Sequence, residues 1–115
     1  MSSTAWLIQP PTRGGVDYSS ASRYGKIQFL LNPEDSASAS PTIVLNKIRK
    51  ALHQYKKGDY VGWAGGDPWN HFLAGVAFGE SKHKEIPILI WEKERSIDGS
   101  PNKNGFYYPL NINRY

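Results

Sequence analysis

The chain has 115 residues, enough for one ordinary domain, and its 39% hydrophobic and 21% charged residues exclude a disordered tract. It has no cysteine, which excludes a disulfide framework and thiolate metal ligands, and no apolar run nears the ~20 residues of a membrane span. The formal net charge of +4 admits nucleic acid or another polyanion as a partner without establishing one.

Residues 1–22 read as an irregular arm, because Pro10-Pro11, Gly14-Gly15 and Ser19-Ser20 interrupt any period. Within it, Trp6-Leu7-Ile8 is an apolar patch suited to docking on the domain or on a second copy. No basic-then-apolar leader is visible, so the cytoplasm is the expected compartment. Residues 23–115 read as a single α/β domain. Its first strand runs from Lys26 to Leu31, and Asn32-Pro33-Glu34-Asp35 turns the chain away. Ser40-Pro41 predicts a capped helix carrying Val44, Ile48, Ala51, Leu52 and Tyr55, ending at Gly58. Tyr60–Ala64 is the second strand. Asp67-Pro68 repeats the cap and opens a second helix, with Phe72, Leu73, Val76 and Ala77 as its buried stripe and an end between Gly79 and Lys82. Ile86–Trp91 is the third strand, continuing into Glu92 and Lys93. After a loop tip from Asp98 to Gly105, Phe106–Ile112 returns as an antiparallel fourth strand.

The order β-α-β-α-β-β predicts a four-stranded mixed sheet with three parallel strands and a C-terminal hairpin strand. The strands are not apolar on both sides, which favours order 1-2-3-4 with both helices on one face. The alternative is order 2-1-3-4 with a helix on each face. In the favoured arrangement Trp63, Trp91 and Tyr107 share the face away from the helices. An aromatic face needs cover from the arm, a second subunit or a partner. Trp6, Trp63, Trp91 and Tyr107 are therefore the expected interface residues of a homo-oligomer.

Gly65-Gly66-Asp67 lies where a parallel strand turns into a helix, the edge at which open α/β sheets gather ligands. Asp67 would satisfy the free amides of the helix start and repel a phosphate, and Pro68 removes one donor, so a cationic, hydroxyl or amine ligand fits better. Asn32, Glu34 and Asp35 emerge on the same edge, and His71 follows Asp67 by one helical turn. These seven residues form the candidate ligand site. Their spacing matches no metal loop, dinucleotide fingerprint or P-loop, and no nucleophile elbow is present. No catalytic residue, metal ligand or cofactor is assigned. Against the site stands a plain capped turn beside a solvated acidic loop. His53 and His83 sit among charged neighbours and read as surface residues. Lys47, Arg49, Lys50, Lys56 and Lys57 form a basic run without an acid, able to grip a phosphate backbone or an acidic protein, or to serve only as a solvated face.

Read together, Gly25-Lys26-Ile27, Asn32-Pro33-Glu34-Asp35, Trp63-Ala64-Gly65-Gly66-Asp67-Pro68 and Gly105-Phe106-Tyr107-Tyr108-Pro109 resemble a group of small proteins encoded by tailed bacteriophages, including phages of marine bacteria. The resemblance covers roughly residues 23–112 and leaves the arm outside. It implies a phage product acting inside a bacterial host and carries no activity, cofactor or catalytic residue. The expected function is a non-enzymatic binding protein that self-associates and meets a macromolecular partner through the basic helix. The competing expectation is a small-molecule binder or enzyme at the Gly65-Gly66-Asp67 turn.

Overall fold

The computed structural model describes residues 3–11, 17–81, 85–95 and 101–113. It is α/β, with a five-stranded mixed sheet of four parallel strands and one antiparallel strand. The strands are β1 (Thr4–Leu7), β2 (Lys26–Phe29), β3 (Tyr60–Gly62), β4 (Glu85–Arg95) and β5 (Pro101–Asn113). The helices are α1 (Pro41–Leu52), α2 (Pro68–Glu80) and a 3-10 helix, Ser19–Tyr24. Gly14-Gly15, His83 and the loop tip from Asp98 to Ser100 lie outside the described residues.

The N-terminal segment is not an irregular arm throughout. Thr4–Leu7 is a strand, and it lies inside the sheet, whose order is β2-β1-β3-β4-β5. It pairs in parallel with β2 on one side and β3 on the other. The four expected strands keep their relative order, and β1 enters between the first two. Trp6 points into the helix-side core at 7% exposure, while Ala5 and Leu7 point to the opposite face. Trp6 is thus core and not interface. Four residues ahead of Pro10-Pro11 are too few to display a period.

The crossovers explain the two faces. The step from β1 to β2 runs one way along the sheet, and the steps through α1 and α2 run the other way. Right-handed connections therefore place the 3-10 helix on one face and both α-helices on the other. Val44 and Ile48 of α1 and Ala74, Ala77 and Phe78 of α2 share a core with Trp6, Val61 and Ile86. Across the sheet, Ala21 of the 3-10 helix packs with Ala5, Leu7, Leu89 and Tyr107, flanked by Tyr18, Tyr24 and Trp91.

Several local expectations need adjustment. Ser40 precedes α1 without a side-chain capping bond, and α1 stops at Leu52, six residues short of Gly58. Strand β5 begins at Pro101, inside the expected loop tip, because the hairpin pairs back to Arg95↔Pro101. Helix α2 buries Asn70, Ala74, Ala77 and Phe78, leaving Phe72 at 64% and Val76 at 42% exposure. Its buried face is rotated from the expected stripe because Asn70, a polar residue, is drawn inward.

Candidate functional site

Three segments meet at the carboxyl edge of the parallel strands: the exit of β1, the loop after β2 and the turn after β3. This is the switch point, where the chain steps left from β1 and right into β3, and where open sheets usually gather ligands. Here Gln9 fills it. Its side chain is almost wholly buried. Gln9 Nε2 donates to the carbonyls of Asn32 at 2.9 Å and Asp35 at 2.8 Å, with Pro33 more distant at 3.3 Å. Gln9 Oε1 accepts from the Asp67 amide at 2.9 Å and from Asn70 Nδ2 at 2.8 Å. Asn70, fully buried, closes the knot: its Nδ2 also donates to the Asp35 carbonyl, and its Oδ1 accepts from the Ala37 amide. Every buried polar atom of these two amides is satisfied, as burial requires.

The same knot explains the glycines. Gly66 has φ +95°, and a Cβ there would strike Gln9 Oε1. A Cβ on Gly65, at φ +157°, would meet Pro11 at 2.7 Å. Close backbone approach is therefore real at Gly65-Gly66, but Gln9 and Pro11 of the same chain take it up.

The expected acidic convergence is divided among internal partners. Asp67 Oδ1 accepts from the Trp69 amide at 2.9 Å, the helix cap read from the sequence, and Oδ2 accepts from Ser36 and Ser38 hydroxyls. The Trp69 amide leads in holding this carboxyl below its ordinary value. Partial burial raises Asp35, but Lys47 and the Asn32 amide outweigh it and hold the carboxyl low. Glu34 is exposed, and among the described residues no group of three His, Cys, Asp or Glu side chains is placed to hold a metal.

His71 behaves differently. Its Nδ1 lies 3.0 Å from the Asp67 carbonyl, so Nδ1 carries the proton and Nε2 is left as an acceptor. Nε2 is buried with no hydrogen-bond partner among the described residues. Burial pushes the imidazole below its ordinary pKa, keeping it neutral. The ring stands 6.3 Å from that of Trp63, on the wall of an apolar cleft of about 520 Å³ between α2 and strands β3 and β4. Ile88 and Ile90 line its floor, and Gly75 and Gly79 line its wall. The sequence signal that pointed to His71 was its spacing from Asp67, and the helical turn does join them. The cleft itself had no sequence signal.

The expected interface residues separate. Tyr107 is buried, with its hydroxyl donating to the Trp63 carbonyl at 2.6 Å and its amide donating to Ser20 Oγ. Trp91 is half-buried, and its indole donates to the Asp17 carbonyl. Segment 17–25 of the same chain thus covers the face that holds both. Trp63 is exposed and turned toward His71, on the helix side.

The basic residues lie exposed on and just beyond α1, and two have internal partners. Lys47 pairs with Asp35 at 2.7 Å, and Arg49 pairs with Glu80 of α2 at 3.2 Å. At the opposite edge of the sheet, sequence reading missed Asp59. It is buried, and its carboxylate accepts from the Thr4 amide, the Trp6 indole and the Lys56 amide. The Tyr55 hydroxyl donates to the Asp59 carbonyl, and burial together with that carboxylate raises the phenol to about 12. Asp59 clasps the start of β1 to the start of β3.

No curated protein and no solved structure matches the chain. The model of one family, described as Phage Pam3 gp32-like protein, matches residues 8–113, reaching further toward the N-terminus than the sequence resemblance did. With four of the five described strands, both α-helices and the Gln9 knot inside that match, the chain belongs to the Phage Pam3 gp32-like protein family.

Proposed function

We propose that this phage protein is a non-enzymatic interaction module that self-associates and meets a macromolecular partner inside the infected cell. The observation that carries this reading is an uncovered apolar surface on the helix side. Trp69 at 61%, Phe72 at 64% and Val76 stand out on α2, and Phe106, Tyr108 and Leu110 stand out on β5. Scattered single apolar residues would mean little, but here six large ones gather in two groups, one on α2 and one on β5. The knot around Gln9 supports binding over catalysis, because its amides and carboxylates are committed to one another. The basic surface of α1 supports a polyanion contact of modest strength, since Lys47 and Arg49 are already paired.

Sedimentation of the purified protein at high micromolar concentration tests self-association. A dimer or larger species is expected, and Phe72→Lys should shift it toward monomer. A wild-type monomer overturns the reading. Titration with short DNA and RNA at two salt concentrations tests the basic surface. Weak, salt-sensitive binding is expected, and none at low salt removes the polyanion partner.

A second reading, a small-molecule site, is favoured by His71 Nε2, which has no hydrogen-bond partner among the described residues. It places the ligand in the neighbouring cleft and not over Gly65-Gly66, and requires an apolar molecule with an N–H or O–H donor. Thermal-shift screening of metabolites against wild type and His71→Leu tests it. A shift shared by both proteins counts against it.

A further inference from the structure

The helix layer stops one strand before the sheet does. Helix α1 connects β2 to β3 and α2 connects β3 to β4, but β4 returns to β5 as a hairpin without a crossover. The pairs Ile88↔Leu110 and Ile90↔Tyr108 place Leu110 and Tyr108 on the same face as the cleft floor. Phe106, two residues from Tyr108, continues that face. The apolar floor thus runs out from under α2 onto β5. A helix laid there would sit beside α2, at the ~8–10 Å spacing of packed helices. The wall it would meet is smooth, since a Cβ on Gly75 or Gly79 would find nothing within 4 Å.

Helix α2 has the converse shortage. Glu80 is its only charged residue. Beyond its core face, Trp69, Phe72 and Val76 recur at helical spacing, with the Trp69 and Phe72 rings packed edge to face at 6.2 Å. A helix apolar on two sides requires cover on two sides. Helix α1 makes the contrast: its outer face carries Lys47, Arg49 and Lys50.

One chain therefore holds a helix stripe that lacks a sheet and a sheet face that lacks a helix. Building on the self-association reading, we propose that the occupant is a second copy. A two-fold axis lets α2 of each copy fill the slot over β4 and β5 of the other, satisfying both surfaces at once. The six residues named bear no charge, so two copies of net charge +4 meet there without opposed charges. A whole aromatic side chain buries ~150–250 Å², and these six residues, four of them aromatic, are 41–64% exposed, so the two surfaces together supply several hundred Å² per copy, on the scale of the ~800 Å² per partner in stable complexes.

The cysteine-free sequence gives a clean test. Val76→Cys and Leu110→Cys, both exposed sites, are placed on separate, mass-distinguished chains, mixed, and treated with a short bismaleimide. Cross-links between positions 76 and 110 of different chains are expected. A dimer giving only 76–76 links, or none, overturns the reciprocal seating and leaves self-association standing. A monomer in sedimentation overturns both. Gly75→Leu adds bulk where the isolated fold has room. It should leave thermal stability unchanged or higher and weaken association at least about tenfold. Association as tight as wild type overturns the seating.

Discussion

Gln9 is the residue on which the carboxyl edge depends, because one side-chain amide serves three segments. Gln9→Leu keeps the volume and removes the bonds, orphaning the Asp67 amide, while the Asn32 and Asp35 carbonyls each lose one donor and keep another. The orphaned amide costs ~1–3 kcal/mol and the other lost bonds add to it, so a loss of about 3 kcal/mol in urea unfolding is expected, against less than about 0.5 for exposed Glu34→Ala. His71 predicts a pH dependence. Its folded pKa lies below the ordinary 6.5, so the folded chain holds that proton more weakly than the unfolded chain. The resulting stability is complete above pH 6.5 and is lost as pH falls through the lower folded value. Asp35 and Asp67 are also lowered, so their contributions fade only below 3.8. The melting temperature should therefore drop between pH 7 and pH 5, and His71→Leu should flatten that drop. A glutamine just before Pro10-Pro11 looks like loop filler in a sequence. Its role comes from contacts 23 and 58 residues away.

At the scale of elements, the two helices show what local signals can carry. Asp67-Pro68 announced the start of α2 because a cap acts on its own first turn, and the Asp67 carboxylate does accept from Trp69. Asp67→Ala should cost ~1 kcal/mol, read as a lower melting temperature. Which side of α2 is buried was not legible, because apolar residues surround it and give no single stripe. Asn70 decides the matter through a knot that no local pattern encodes. In β5 the alternation of Phe106, Tyr108 and Leu110 against Tyr107 was legible, but its meaning was inverted. The lone Tyr107 is sealed under residues 17–25, while the three apolar neighbours face outward. Alternation separates two faces of a strand without saying what covers each one.

For the whole molecule, the class and the parallel-then-hairpin order were legible because crossover handedness leaves few arrangements. The place of β1 was not, since four residues owe their strand conformation to neighbours supplied by β2 and β3. Deleting residues 1–8 is accordingly no trimming of an arm. It removes a central strand together with Trp6 and Leu7, and the shortened chain should show no cooperative thermal transition by circular dichroism. A retained transition near the wild-type temperature would contradict the central position of β1. That position also shapes how the nascent chain lives on the ribosome. This interior strand is made before either of its neighbours, and β3 lies more than 50 residues behind it. At elongation speeds of ~5–20 residues per second, Trp6 and Leu7 wait several seconds for both flanks, their apolar side chains uncovered for that interval.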